Sequence, residues 1–156
     1  MNKLFTIIGL SLGLCLSAAT QAREVTITTT LNTYRGNAAY LAIYLTNPDG
    51  KYEQTLWVAG KKSKYYKHLL DLARGSGLKT AEYEGMTGAS VSGGDSLTIQ
   101  ADIDDALIDA GYLIRVDSAV EDKRENRIDA EVTLTTSGAG TPVSGRGYVN
   151  TLSYSL

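Results

Sequence analysis

The sequence predicts a mainly β protein, an immunoglobulin-like antiparallel β-sandwich with one short helix inserted. Three observations support this class. Segments of six to nine residues alternate apolar and polar positions at near-regular spacing. Many of these positions hold β-branched residues or some of the ten tyrosines, which suit strands. The period of a helix, by contrast, is convincing in one segment alone.

Seven segments carry the strand pattern: residues 24–32, 38–46, 52–59, 96–101, 112–120, 128–136 and 148–156. The second and third are joined by the sequence NPDG at 47–50, in which proline presets φ and glycine closes the turn. We therefore expect these two strands to form a hairpin. A charged turn at 121–127 and a flexible link at 137–147 separate the last three strands.

The predicted helix covers residues 61–74. Apolar or aromatic residues fall at positions 65, 66, 69, 70, 72 and 73, which is the spacing of one helix face. Ser63 is the expected N-cap and Gly75 the expected stop signal. The opposite face carries four lysines: Lys61, Lys62, Lys64 and Lys67. These lysines form either a solvated surface or a binding site for a phosphate or an acidic partner.

The first 22 residues have the pattern of a secretory signal peptide. Lys3 precedes an apolar stretch at 4–16, and small residues at 18–22 form a cleavage region. The apolar stretch is shorter than the roughly 20 residues that span a bilayer. We expect cleavage after Ala22, a periplasmic location, and a single β-sandwich domain over residues 23–156 without a membrane span.

Cysteine content and charge exclude several classes of site. Cys15 is the only cysteine, and it leaves with the signal peptide. The mature chain therefore has no thiol for disulfides, metal sites or nucleophilic catalysis. Without Lys3, 14 of the 15 basic residues remain against 17 acidic ones, which gives a net charge of −3. This balance does not support nucleic-acid binding, which needs a dominant basic face.

Ordinary enzyme and metal motifs are also missing from the sequence. Asp102, Asp104 and Asp105 resemble the opening of a calcium loop, but no glycine follows at the sixth position and no glutamate at the twelfth. We interpret them as a polar turn. His68 is the sole histidine, so it can form neither a histidine-based metal site nor a recognisable triad. We therefore expect a protein that is not an enzyme and holds no metal.

The segment EGMTGASVSGG at 84–94 is the one stretch that suggests chemistry. Its first part resembles the flavin-attachment motif of extracytoplasmic flavoproteins, in which a flavin transferase links FMN through its phosphate to a serine or threonine hydroxyl. The resemblance makes Ser90 the acceptor, and Thr87 is the other hydroxyl residue of the motif. The remaining motif positions are Glu84, Gly88 and Ala89. Glu84 and Ser90 stand where aspartate and threonine are more usual.

A broader resemblance covers nearly the whole mature chain. The sequences LWVAGKKSKY at 56–65, TGAS at 87–90 and GYLIRV at 111–116 resemble the predicted periplasmic family catalogued as domain of unknown function 2271. Where that family has a W-D-G-x-D turn, this chain reads QADIDDA, so the resemblance is to a divergent member. It implies a secreted β-sandwich that works beside membrane partners of PepSY type and flavin transferases in redox or iron-related systems.

Two functions are compatible with this sequence. The first is a secreted, non-enzymatic accessory protein of an extracytoplasmic electron-transfer or iron-linked system, which in its sharper form carries covalent FMN on Ser90. The alternative is a plain periplasmic protein- or ligand-binding module without a cofactor, in which TGAS is an ordinary loop.

Overall fold

A computed structural model describes residues 21–156 as two β-sheets packed face to face. One sheet has the strand order β5-β1-β9-β8, and the other has the order β4-β3-β2-β6-β7. The strands are β1 Ala22–Leu31, β2 Tyr40–Thr46, β3 Tyr52–Ala59, β4 Thr87–Gly88, β5 Ser96–Asp104, β6 Leu113–Ala119, β7 Glu125–Thr133, β8 Val143–Ser144 and β9 Val149–Ser155. This arrangement confirms the predicted β-sandwich. Most of the predicted signal peptide, residues 1–20, lies outside the described residues.

All seven predicted strands are present, and β3 has the predicted bounds. β5 extends to Asp104, past the predicted end at 101, because it pairs along nine residues with β1. β7 begins at Glu125, inside the segment predicted to be a charged turn. β4 and β8 have two residues each and were not predicted. β4 also departs from the antiparallel pattern, since it pairs parallel to β3.

The five-stranded sheet is covered on both faces, and its central strand β2 shows how. Leu41, Ile43 and Leu45 point between the sheets and belong to the main hydrophobic core. Ala42 and Tyr44 point the other way, into a second core beneath the helical segment. We call these the inner face and the outer face of the sheet. Because side chains alternate along a strand, one continuous apolar run supplies both cores.

The helical segment between β3 and β4 is broken, so the prediction of one continuous helix is wrong. A 3₁₀ helix covers Ser63–His68 and an α-helix, α1, covers Leu70–Ser76. Leu69 separates them with a non-helical ψ of 83°, and its side chain is fully buried in the outer-face core. α1 ends at Gly77, in the left-handed conformation, two residues after the predicted stop. Within residues 21–156, no helix is long and apolar enough to cross a membrane.

Asp117 of β6 holds the helical segment on the outer face. Its fully buried carboxylate accepts hydrogen bonds from the backbone N–H groups of Asp71 and Leu72, at 2.8 and 3.0 Å. It also accepts from the Ile128 N–H and from the Tyr44 hydroxyl, both at 3.0 Å. The carboxylate therefore serves as the N-terminal cap of α1 that Ser63 was expected to supply. Burial raises the pKa of the Asp117 carboxyl, although the donors around it act in the opposite direction.

A second buried carboxylate, Asp129 of β7, joins the two sheets. It accepts hydrogen bonds from the four backbone N–H groups of residues 146–149, at 2.6 to 3.0 Å, and from the Ser118 hydroxyl. Residues 146–149 lead into β9 of the other sheet. One side chain thus orders the turn at which the chain enters its last strand.

Candidate functional site

The first two residues of the TGAS sequence form one edge strand of the five-stranded sheet. Thr87 and Gly88 make up β4, which lies beside the end of β3. The Val58 N–H donates to the Met86 carbonyl and the Gly60 N–H to the Gly88 carbonyl, both at 2.8 Å. The first half of the motif is therefore ordered by backbone hydrogen bonds.

A second anchor follows directly after the motif. Val91 and Ala39 form an isolated antiparallel bridge, in which each N–H donates to the other's carbonyl, at 2.9 and 2.7 Å. Val91 is buried, whereas Ala89 is exposed and Ser90 half-buried. Ala89 and Ser90 are thus a two-residue span held at both ends.

Packing against Trp57 explains why residue 88 of the motif is glycine, and this contact was not predicted from the sequence. A Cβ atom built on it would lie 2.7 Å from a ring atom of Trp57, far inside van der Waals contact. Trp57 is half-buried and packs against the main core. Glycine at this position therefore lets the edge strand approach the indole ring.

The two hydroxyls of the motif lie in different surroundings. Thr87 is exposed on the edge strand, while Ser90 lines a cleft of about 530 Å³ on the outer face. Other walls of this cleft come from Tyr40, Lys62, Tyr65, His68 and Glu125. We call it the Ser90 cleft. It brings together β2, the 3₁₀ helix, the segment after β4 and the start of β7.

Two tyrosines give the Ser90 cleft an aromatic wall. The rings of Tyr40 and Tyr65 meet edge to face with centroids 5.6 Å apart, a favourable aromatic geometry. Tyr40 lies so close to Gly60 that a Cβ atom there would be 2.1 Å from the ring. Lys64 places its ammonium 4.8 Å from the centroid of Tyr65. Glycine in the LWVAG sequence therefore makes room for the aromatic wall.

Charged groups of both signs line the rest of the Ser90 cleft. His68 Nδ1 contacts Glu125 Oε1, which joins the 3₁₀ helix to the start of β7. Lys62 and Lys123 add positive charge. Negative charge comes from Glu121 and Asp122 as well as Glu125. The cleft can therefore contact a ligand that has a flat apolar part and polar groups at its rim.

The four predicted partner-binding lysines are all exposed. Lys61 and Lys62 precede the 3₁₀ helix, and Lys64 and Lys67 lie within it. Among residues 21–156, none of the four forms an ion pair with a carboxylate. Lys62 is the member of this group that reaches the Ser90 cleft. The four lysines are thus available to a partner beside the cleft.

The aspartates after β5 have local roles. Asp104 accepts a hydrogen bond from the Ala106 N–H at 2.9 Å, and Asp105 pairs with Arg23 at 2.9 Å. No group of three or more potential metal ligands occurs among the residues that the structure describes.

Sequence reasoning named Ser90 and the lysines as candidates, but it did not predict most of the residues that line the cleft. Tyr40 was assigned only to a strand, and Glu125 to a charged turn. Tyr40 and Glu125 lie near Ser90 because the chain crosses from β3 to β4. No local sequence pattern indicates this crossover. Gly60 lies where the Tyr40 ring approaches the backbone, but a glycine after a strand is a common turn residue and did not indicate this contact.

Comparison with known families gave one match. A family model described as a predicted periplasmic protein, DUF2271, matches residues 22–151. Comparisons with curated proteins and with solved structures gave no match.

Proposed function

Since the chain belongs to the DUF2271 family of predicted periplasmic proteins, we propose that it is a non-enzymatic accessory protein that carries FMN covalently on Ser90. Its role is to pass electrons in an extracytoplasmic electron-transfer or iron-linked system. The observation that carries this proposal is the position of Ser90. The serine that the motif resemblance selects as acceptor is also the motif hydroxyl that borders the aromatic cleft.

The residues of the Ser90 cleft suit a flavin in three respects. The volume of about 530 Å³ lies within the roughly 300–1,000 Å³ typical of small-molecule sites. Tyr40 and Tyr65 supply aromatic surface for a flat ring system. Lys62 supplies a positive charge for a phosphate, which would stay at the Ser90 end because the link runs through it. Bound FMN would supply one- and two-electron transfer.

The acceptor segment is placed so that another enzyme could reach it. β4 is the last strand of its sheet, so no further strand covers Thr87 or Ala89. Ala89 is exposed and small, so the residue before Ser90 adds little bulk. Attachment forms a phosphodiester at Ser90 Oγ: the hydroxyl loses its proton, the bond between the flavin phosphate and the leaving group of an activated flavin donor breaks, and the chain gains FMN less one water. In this proposal the chain presents the hydroxyl, and the transferase supplies the catalysis.

The same proposal assigns the four lysines to docking. Lys61, Lys62, Lys64 and Lys67 are exposed next to the cleft, and a positive patch attracts an acidic partner surface. A membrane redox protein of PepSY type is the partner that the family resemblance implies. Docking there would bring the partner close to a group held in the Ser90 cleft.

Co-expression of the full precursor with a flavin transferase, followed by intact mass of the secreted protein, tests the attachment. We expect the mass of one FMN less one water and a yellow protein. Ser90→Ala should abolish labelling, while the matched control Ser92→Ala removes an exposed hydroxyl two residues on and should keep it. Peptide mass analysis should place the group on Ser90 rather than Thr87.

Two results would contradict the proposal. Unmodified protein, under conditions where a control flavoprotein is labelled, would remove the flavin and leave a colourless binding module. Labelling of Ser90→Ala at the wild-type level would move the acceptor to another residue.

A further inference from the structure

We propose that a second cleft on the outer face binds a small oxyanion, a phosphate or carboxylate group, in a site separate from the Ser90 cleft. This cleft has a volume of about 460 Å³ and lies where α1 meets the ends of β2, β3 and β6. We call it the arginine cleft. Its cationic walls are formed by Lys51, Arg74, Arg115 and Arg127.

Basic residues outnumber acidic ones in the lining of the arginine cleft. Four basic residues line it against one acidic residue, Asp71. Two further carboxylates lie behind the lining: Glu131, which pairs with Arg115, and Asp117, which is fully buried. Glu82 accepts a hydrogen bond from the lining Tyr52, and Arg146 pairs with Glu131, so five cations face four acids when these neighbours are also counted. The basic residues come from four distant positions, so no charge run in the sequence indicated the cleft.

Two of the guanidinium groups are fixed by contacts on one side. Arg127 donates from Nε and Nη2 to Asp71 Oδ1, at 2.9 and 2.7 Å. Arg115 donates from Nε to Glu131 Oε2 at 3.0 Å and from Nη1 to the Gly50 carbonyl at 3.2 Å. Within the described residues, Arg127 Nη1 and Arg115 Nη2 are not used in these contacts. Guanidinium groups held in this way are preorganised for an oxyanion.

The floor of the cleft contains an unpaired hydroxyl. Thr46 is 1% exposed, and its Oγ1 has no hydrogen-bond partner among residues 21–156. It lies on the same face of β2 as Tyr44, and both residues line the cleft. A buried polar group without a partner costs stability. An oxyanion seated between the arginines could accept the hydrogen bond that this hydroxyl is able to donate.

The proposal does not depend on flavin attachment, so it can be tested on unmodified protein. Inorganic phosphate and succinate are the two probes, titrated separately by calorimetry at low ionic strength. We expect saturable binding of at least one probe, and the tighter of the two identifies the preferred oxyanion.

Three variants connect binding to the cleft. Arg74→Gln removes a lining cation and should raise the Kd roughly three- to tenfold, because a hydrogen bond to a charged group is lost. Thr46→Val should raise the Kd roughly threefold while the ligand-free protein keeps or increases its thermal midpoint. Arg124→Gln is the matched control, since it makes the same substitution at an exposed arginine that lines neither cleft, and its Kd should change less than twofold.

Two outcomes would overturn the site. One is that neither probe saturates the protein by about 10 mM, because a Kd above that concentration is too weak for a specific site. The other is that Arg124→Gln weakens binding as much as Arg74→Gln, which would mean that the anions respond to net charge alone.

Discussion

The inner and outer faces of the five-stranded sheet are both buried, but different side chains build them. On β2 the inner face is aliphatic, with Leu41, Ile43 and Leu45 packed against the second sheet. The outer face carries Tyr40 and Tyr44 and is covered by the helical segment. One face meets a whole sheet, whereas the other meets a short and broken helix. Both clefts lie on the second of these faces, at opposite ends of β2.

The two faces therefore depend on different interactions. Aliphatic packing is sensitive to volume and has no polar group to satisfy. The tyrosines of the outer face need partners for their hydroxyls: Tyr44 donates to Asp117, and Tyr66 to the Gly60 carbonyl at 2.6 Å. Burial raises the pKa of the Tyr44 hydroxyl well above its ordinary value. The outer face is thus a polar network, and loss of one acceptor should disturb it more than loss of one methyl group disturbs the inner face.

The largest expected effect is that of Asp117→Ala. It leaves two helix N–H groups, the Ile128 N–H and the Tyr44 hydroxyl without their acceptor. We expect the free energy of unfolding in urea to fall by about 3–5 kcal/mol. Asp102→Ala, at an exposed aspartate of β5, should change it by less than about 0.5 kcal/mol. A loss below about 1 kcal/mol for Asp117→Ala would show that the outer face does not depend on this network.

Asp117→Asn tests the same carboxylate by its titration. The pKa of Asp117 is raised by burial in the folded state, so the folded protein binds the proton more tightly than the unfolded chain does. Its contribution to stability is therefore full below the ordinary aspartate pKa and declines as pH rises through the folded pKa. The stability difference between wild type and Asp117→Asn should be larger in acid than at neutral pH. A difference that increases with pH would contradict this sign.

Gly88→Ala tests the edge at which the outer-face site begins. The added methyl group would lie 2.7 Å from the Trp57 ring, so β4 or the indole must move. We expect a loss of about 1–3 kcal/mol, typical of overpacking, and a shift in the emission of Trp57, the single tryptophan. Ala89→Ser changes the exposed neighbour and should leave both quantities at their wild-type values. Unchanged emission in Gly88→Ala would mean that β4 does not pack on the indole.

Ile43→Val measures the inner face for comparison. Removal of one methylene from this fully buried side chain should cost about 0.5–1.5 kcal/mol. Since the side chain points away from both clefts, labelling of Ser90 and anion binding should stay unchanged. A change in either would show that the two faces are coupled through the sheet.

The smallest stability effect is expected for Ser90→Ala. The half-buried serine makes none of the side-chain hydrogen bonds found among residues 21–156, so the unfolding free energy should change by less than about 0.5 kcal/mol. The same variant is the one expected to lose FMN. A large destabilisation would give Ser90 a structural role and weaken its assignment as an acceptor.

Much of the fold could be predicted because its long strands carry their own signals. The NPDG turn and the alternation of residues 52–59 gave β3 its observed bounds. β4 could not be predicted, because two residues have no period and Thr87 is the one strand-favouring side chain in TGAS. The helix was predicted as continuous because Leu69 fits the apolar period. In the structure Leu69 fills the outer-face core, and the chain leaves helical geometry to place it there.

The sites were less predictable than the fold. Ser90 came from a motif, whereas the residues around it come from four separate elements. Asp117 and Asp129 look like ordinary strand aspartates in the sequence. Their burial follows from backbone donors at residues distant along the chain, which no local pattern reveals. The arginine cleft was missed for the same reason, since its cations are isolated in sequence.

The buried Asp129 has a consequence for how the fold responds to redox conditions. Many secreted domains cross-link their sheets with disulfides, and their folding then depends on an oxidising compartment. Residues 21–156 contain no cysteine, and here a carboxylate with five donors ties β7 to the turn that enters β9. The tie forms without an oxidant and cannot be reduced. Stability should therefore be the same with or without a thiol reductant.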